Sequence, residues 1–279
     1  MDTIRSLLSL HECLRESDTS RLDCELLLSR VLKKDRTYLY TWPEKAVSIE
    51  ASKEYKQLLD RRMKGEPIAY ILGEKEFWSL PIMVDSNTLI PRPDTELLVE
   101  TILELMSTRE HDSISVADLG AGTGAIGLAL ASEKPHWRIR GLERQENALA
   151  LAQKNKQNLS LDNITFHLSD WFDAVDGSQF DVIVSNPPYI DACDRHLSEG
   201  DVRFEPKTAL VADQMGFADL AFIVQTAPRY LQSGGWLLLE HGNEQGEQVS
   251  HCMHVHGFTC VETRLDLSAQ PRVTLGQFV

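Results

Sequence analysis

The chain has 279 residues, 42% of them hydrophobic, which is enough for one large α/β domain plus a small accessory domain. A formal net charge of −14 disfavours a broad phosphate-tracking surface, because nucleic-acid binders cluster Lys and Arg to neutralise phosphates. No run of about 18 apolar residues appears and Met1-Asp2-Thr3-Ile4-Arg5 lacks a basic-then-apolar layout, so neither a membrane nor export is indicated and the cytoplasm is expected.

From Met1 to about Gly73 apolar residues recur at helical spacing, with Ile4, Leu7, Leu8, His11 and Leu14 on one face and Leu22, Leu26, Leu27 and Val31 on another. Ser20 with Asp23 reads as a capping start, and Gly65 before Glu66-Pro67 as the stop of a helix beginning near Ile49. A small helical bundle over 1–74 follows. The stretch 76–84 reads as two strands around a turn, and Pro91 and Pro93 forbid a regular helix just after it, which makes 75–92 a β-hairpin connector. Helical spacing returns with Leu97, Leu98, Thr101, Ile102 and Leu105, capped by Asp94 or Thr95.

Strands and helices then alternate: strands at 114–119, 137–142, 164–168 and 180–184, with helices starting at Gly124 and Gln145. That order predicts βαβ units, a mostly parallel sheet and helices on both faces over 93–279. An irregular segment at 186–217 precedes a helix at 218–231 and strands at 235–240, 258–264 and 272–278, the closing pair antiparallel. The five cysteines (Cys13, Cys24, Cys193, Cys252, Cys260) contain no CxxC pair and read as free thiols rather than a disulfide framework or zinc site.

Asp118-Leu119-Gly120-Ala121-Gly122-Thr123-Gly124 ends a strand and opens a helix, where glycines let the backbone approach a nucleotide-like ligand and the helix N-terminus offers free N–H donors. Alone, this pattern fits a structural tight turn or a dinucleotide site equally well. Glu143, about twenty residues on at the next strand end, is placed to accept both ribose hydroxyls, the alternative being a solvated strand-end charge. After the third strand, Asp170 offers a carboxylate for an adenine amino group and Trp171 an indole to pack on the ring, or simply to pack in the core.

Asn186-Pro187-Pro188-Tyr189 directly follows an apolar strand. Two successive prolines end the ladder and turn the chain out at the carboxyl edge of the sheet, where α/β ligands bind. The turn can aim the Asn186 side-chain oxygen and the Pro187 carbonyl at one NH₂ group, with Tyr189 as an aromatic face for a planar acceptor. An amide nitrogen needs such a device: its lone pair is delocalised, so the site must hold it in line with the methyl donor and polarise its N–H bonds.

On these motifs, together with 76–80, 88–96, 201–206 and Leu239-Glu240-His241-Gly242, the chain resembles the class I S-adenosylmethionine-dependent methyltransferases with an NPPY motif. Within them it resembles the peptide chain release factor glutamine methyltransferases, nearly end to end. The resemblance implies a Rossmann-like sheet and S-adenosylmethionine contacts at Gly120, Ala121, Gly122, Thr123, Gly124, Glu143, Asp170, Trp171 and Asn186. It implies a substrate glutamine, in the Gly-Gly-Gln loop of a class I release factor, held by Asn186, Pro187, Pro188 and Tyr189, with Asn186, Pro187 and Tyr189 catalytic. The product cofactor is then S-adenosylhomocysteine, and the enzyme is expected to act as a monomer without direct nucleic-acid or membrane partners. A glutamine methyltransferase of a ribosomal protein, an adenine or cytosine amino-group methyltransferase and a non-catalytic nucleotide-binding module are the competing readings. Glu143 stands where many relatives carry Asp, and Ala121 leaves all three glycines of the loop in place.

His251, Cys252, His254 and His256 straddle a helix end and lack a second ligand cluster, so no metal is expected. Glu240-His241 reads either as a general-base pair or as strand-end packing. Glu199, Asp201 and Glu205 around Arg203 read as a lid or docking rim, and the sequence leaves their role open.

Overall fold

A computed structural model describes residues 1–14, 19–109 and 112–279. It divides into two compact units, Met1–Gly73 with Ser198–Phe204, and Glu74–Leu197 with Glu205–Val279. The first contains α1 (Ile4–Leu8), α2 (Ser20–Leu32), α3 (Arg36–Thr41), α4 (Ile49–Met63) and α5 (Ile68–Leu72). Burial of Ile4, Leu7, Leu27, Leu28, Tyr55 and Leu59 draws them together.

The inward face of α2 differs from the expected leucine stripe. Leu22 is exposed and Leu26 half-buried, while Asp23, Cys24, Glu25, Leu27 and Leu28 point inward. The two acids are tolerated because each meets a guanidinium: Arg62 Nε donates to Asp23 Oδ2 at 2.8 Å and Arg36 Nη2 to Glu25 Oε2 at 2.7 Å. Ser20 is the first helical residue, not the cap; Thr19 holds the cap position and turns its hydroxyl to Asp23 Oδ1 at 2.9 Å. Arg62 also donates to Asp201 Oδ1 at 3.0 Å, which ties the 198–204 segment into this unit.

The second unit begins with the hairpin β1 (Glu74–Phe77) and β2 (Leu80–Met83). Its turn residues Trp78 and Ser79 have φ of 51° and 58°, and the Glu96 carboxylate holds the turn by accepting the Trp78 amide at 2.8 Å. Next come α6 (Glu96–Leu105), β3 (Ser115–Leu119), α7 (Ala125–Glu133), β4 (Arg138–Glu143), α8 (Glu146–Leu159), β5 (Ile164–Leu168) and β6 (Phe180–Ser185). The single turn α9 (Asp213–Gly216) leads to α10 (Ala218–Thr226), β7 (Leu231–Glu240), α11 (Gly246–Val255), β8 (Phe258–Leu265) and β9 (Pro271–Phe278).

The seven-stranded sheet runs β5-β4-β3-β6-β7-β9-β8, parallel from β5 to β7, with β9 antiparallel to both its neighbours. This is the mostly parallel, Rossmann-like arrangement that the alternation of elements predicts. One core, with Leu98, Ile102, Leu128 and Trp137, covers one face, and a second, with Leu220, Ile223, Val249 and Met253, covers the other. Residues of β6 are buried on both faces, which explains its unbroken apolar run. The strand order reverses at β3 and β6, so the crevice for a ligand opens beyond their carboxyl ends. The helix expected over 218–231 stops early: α10 ends at Thr226, a single turn at Ala227–Arg229 contains Pro228, and Leu231 already pairs with Phe180 as the first residue of β7.

Candidate active site

The carboxyl ends of β3, β4 and β6 border an open cleft. Gly120, Gly122 and Gly124 follow β3 with φ of 68°, 56° and 83°, a left-handed path that other residues adopt only under strain. A side chain at Gly124 would also put its Cβ 2.6 Å from the Phe166 ring. Asp118 turns back beneath the loop and accepts the Gly127 amide at 3.0 Å; complete burial pushes its carboxyl up to about 7, with Glu143 adding to the effect. Asn155 of α8 bolts loop and hairpin together, donating to the carbonyls of Thr123 at 2.9 Å and Met83 at 3.0 Å.

Glu143 ends β4 against this loop. Its Oε2 accepts the Gly122 amide at 2.9 Å and its Oε1 the Gln145 amide at 2.7 Å. Trp171, itself at φ 46°, lies with its ring 3.5 Å from where a Cβ on Gly120 would be, so the indole packs flush with the glycine loop. Asp170 is over half exposed, with Arg144 Nη1 3.9 Å away. Asp219, on α10, adds a third acid to the cleft wall, and burial raises its carboxyl.

Beyond β6, Asn186 and Pro188 face the same cleft, whereas Pro187 is buried and neither it nor Tyr189 or Gly124 is in its wall. Asn186 is anchored by its amino end: Nδ2 donates to the Thr95 hydroxyl at 3.2 Å. Thr95 precedes α6 without capping it through its side chain, contrary to the capping role expected for Asp94 or Thr95, because the hydroxyl is engaged by Asn186. The Tyr189 hydroxyl donates to Glu240 Oε1 at 3.2 Å. Burial pushes the Glu240 carboxyl up to about 7, against the lowering effects of Thr95, Arg272 and Tyr189. Burial likewise raises the phenol of Tyr189.

Glu240 and His241 form no pair. As neighbours at a strand end they point apart: His241 Nε2 bonds Thr274 Oγ1 at 2.8 Å and Nδ1 the Gly242 carbonyl at 2.8 Å, and burial lowers its pKa. His241 is a packing residue, one of the two roles the sequence leaves open. Gln245 clamps the chain after Tyr189, donating through Nε2 to the carbonyls of Tyr189 at 3.2 Å and Gly216 at 3.3 Å while its Oε1 accepts the Gly242 amide. Arg92 of the Ile-Pro-Arg-Pro segment pairs with buried Glu205 at 2.5 Å. Glu205 is therefore a buried ion-pair partner rather than part of an exposed rim. Among the described residues no group of three His, Cys, Asp or Glu is arranged for a metal.

Sheet order, glycine loop and cleft together define a class I methyltransferase of Rossmann-like fold. A family model described as the PrmC N-terminal domain matches residues 7–73, and one described as the methyltransferase small domain matches 93–200. Curated relatives called release factor glutamine methyltransferase include those of Aliivibrio fischeri, 52% identical over 99% of this chain and 95% of its own, and of Pseudomonas aeruginosa, 52% identical over 100% and 99%. That of Escherichia coli is 48% identical over 95% of each chain. The chain belongs to the release factor glutamine methyltransferase family. Solved structures share the fold at lower identity: a Pyrococcus furiosus methyltransferase, TM-score 0.54 and 15% identical over 80% of this chain and 98% of that one, is one example. Another is a T. thermophilus 16S rRNA methyltransferase in complex with AdoMet and guanosine, TM-score 0.51 and 22% identical over 68% of this chain and 44% of that one.

Proposed function

We propose that this enzyme transfers a methyl group from S-adenosylmethionine to the side-chain amide nitrogen of the glutamine in the Gly-Gly-Gln loop of class I peptide chain release factors. On this reading it works as a monomer in the cytoplasm. The observation that carries it is Asn186 at the cleft wall with its amino end tied to Thr95, so that an acceptor oxygen remains for a substrate NH₂. Identity of 52% over nearly the whole length of relatives bearing that name supports the same substrate.

The cleft suits the cofactor. Gly120 and Gly122, at positive φ in the cleft wall, leave no side chain of their own where a nucleoside would approach, Trp171 offers an apolar ring, and Glu143 and Asp170 offer acceptors. Each Glu143 oxygen has a lone pair beyond its backbone bond, enough for a ribose hydroxyl apiece. When bound, S-adenosylmethionine supplies an electrophilic methyl on a sulfonium centre. The carboxylates of Glu143, Asp170 and Asp219 give the cleft an acidic wall that favours such a cation.

Asn186 Oδ1 and the Pro187 carbonyl accept the two hydrogens of the glutamine amide, which turns its nitrogen toward the methyl group and polarises both N–H bonds. The rigid Pro187-Pro188 turn fixes this geometry in advance. No strong base would be needed beforehand: as the N–CH₃ bond formed the S–CH₃ bond would break with its electron pair left on sulfur, and the nitrogen, made acidic, would release one proton to solvent. Incubation with labelled cofactor and separate acceptors tests the proposal: purified release factor is expected to be labelled on the glutamine. Labelling of a ribosomal protein or of nucleic acid, but not of release factor, would replace it with one of the competing readings.

A further inference from the structure

The turn that follows β7 touches Tyr189 at three points. The Tyr189 hydroxyl is bonded to Glu240 Oε1 at 3.2 Å, its ring lies 3.8 Å from where a Cβ on Gly242 would be, and its carbonyl oxygen accepts from Gln245 Nε2 at 3.2 Å. Gln245 makes a second bond from the same nitrogen, to the Gly216 carbonyl at 3.3 Å. Its Oε1 accepts the Gly242 amide at 2.9 Å. Gln245 stands at the N-cap of α11, yet its side chain makes no capping bond to that helix. Both ends of its amide go instead to the turn and to the backbone around Tyr189.

The partners leave this side chain a single orientation. A backbone carbonyl only accepts and a backbone N–H only donates. The two carbonyls therefore require the NH₂ end of the amide, with one hydrogen for each, and the Gly242 N–H requires the oxygen. Flipping the carboxamide would set oxygen against two carbonyl oxygens and NH₂ against an N–H, and all three bonds would be lost. We infer that Gln245 is a positioning residue of the methyl transfer: it pins the main chain at Tyr189, and because Glu240 and Gly242 meet the hydroxyl and the ring of the same residue, the turn after β7 presets the aromatic face against which the substrate amide lies. A face fixed before the substrate arrives spares the reaction the cost of ordering it. This rests on reading Tyr189 as that face.

Two variants remove the bonds at nearly constant shape. Gln245→Glu puts a second acceptor oxygen against the two carbonyls, and Gln245→Met keeps the length without either polar end. Gln245 is half-buried, so neither change opens the core. Single-turnover methylation of release factor by the full-length enzyme with saturating cofactor, alongside calorimetry with S-adenosylhomocysteine, reads the effect. Both variants are expected to slow transfer by about 10–100-fold, the scale on which a misplacement of about 1 Å lowers a rate, with cofactor affinity unchanged. A double variant separates positioning from a general loss of structure. Once Tyr189→Ala has removed the ring, Gln245→Glu is expected to slow transfer by no more than about 2-fold further, whereas independent effects would multiply. The inference is overturned if either Gln245 variant runs at the parent rate, or if the full loss persists in the Tyr189→Ala background. If Tyr189→Ala alone runs at the parent rate, Tyr189 is not the face for the substrate, and that reading fails and this inference with it.

Discussion

The Glu143 carboxylate accepts the Gly122 amide at 2.9 Å, so the acid at the end of β4 is part of the glycine loop's own framework. Replacing it by Ala would remove the proposed ribose acceptor and also free the loop. We expect Glu143→Ala to weaken S-adenosylhomocysteine binding by about 1–3 kcal/mol, the range for hydrogen bonds to a charged group. Glu143→Gln should fall between, since its amide NH₂ must face one of two backbone N–H donors. Calorimetry showing parent affinity for Glu143→Ala would remove this residue from the cofactor site.

Gly216 is the position where the segment after Asn186 is most tightly confined. A Cβ there would lie 2.2 Å from the Tyr189 carbonyl oxygen, and φ is +81°. Gly216→Ala must therefore push the Tyr189 segment away and disturb the Gln245 clamp. The expected result is a loss of about 1–3 kcal/mol in stability and a lower methylation rate at saturating cofactor. Gly177 provides the contrast, because φ is +74° but a Cβ meets nothing within 4 Å. Gly177→Ala should cost about 1–2 kcal/mol of backbone strain and leave the rate unchanged. Equal rates for the two variants in single-turnover assays would show that Gly216 does not support the clamp.

What the sequence made legible is local. The glycine loop, Glu143 and Asn186-Pro-Pro-Tyr189 each sit at the end of an apolar strand, and the end of a parallel strand is where a ligand site must be. The partners that complete the site lie far away along the chain: Thr95 is 91 residues from Asn186, Glu240 is 51 from Tyr189, and Glu205 is 113 from Arg92. No periodicity reports such pairings. Thr95 illustrates the limit: a threonine before a helical run looks like a cap, and only the fold, which brings Asn186 to it, shows its hydroxyl turned elsewhere. In α2 the leucine spacing misplaced the buried stripe because Asp23 and Glu25 are buried with arginines from α4 and α3.

Stability should depend on pH through two buried acids. Asp118 and Glu240 both have carboxyls pushed up to about 7 by burial, above ordinary values of 3.8 and 4.5. A folded-state pKa above the unfolded one means that the folded protein holds its proton longer. Their contribution is then fully present below about pH 4 and is lost as pH rises through about 7. Each shift corresponds to about 3–4 kcal/mol at the outside. Glu25, Asp181 and Asp266 act in the opposite sense, since their lowered pKa values favour the fold above the ordinary carboxylate range. Urea unfolding at pH 5.5 and 8 should give a lower midpoint at the higher pH, and Asp118→Asn should reduce that difference. An identical difference in parent and variant would show that Asp118 does not titrate in this window.

Asn186 gives the sharpest test of the proposed substrate clamp. Its Nδ2 is committed to Thr95, so the work assigned to it falls on Oδ1, and that work grows as positive charge develops on the substrate nitrogen. Asn186→Ala should therefore impair transfer far more than cofactor binding, with a rate loss of about 10²–10³, the usual cost of one positioned electrostatic group. Asn186→Asp is more discriminating. A carboxylate keeps acceptor oxygens for the substrate but has no hydrogen for the Thr95 hydroxyl, the partner of Asn186 Nδ2. The aspartate variant is expected to bind S-adenosylhomocysteine within a few fold of the parent yet turn over slowly, and to recover as pH falls and its carboxyl takes up a proton. Single-turnover methylation of release factor across pH 6 to 8 measures this. An Asn186→Asp rate equal to the parent's over that range would mean that acceptor oxygens alone suffice, and the amide orientation argued from Thr95 would have no part in the reaction.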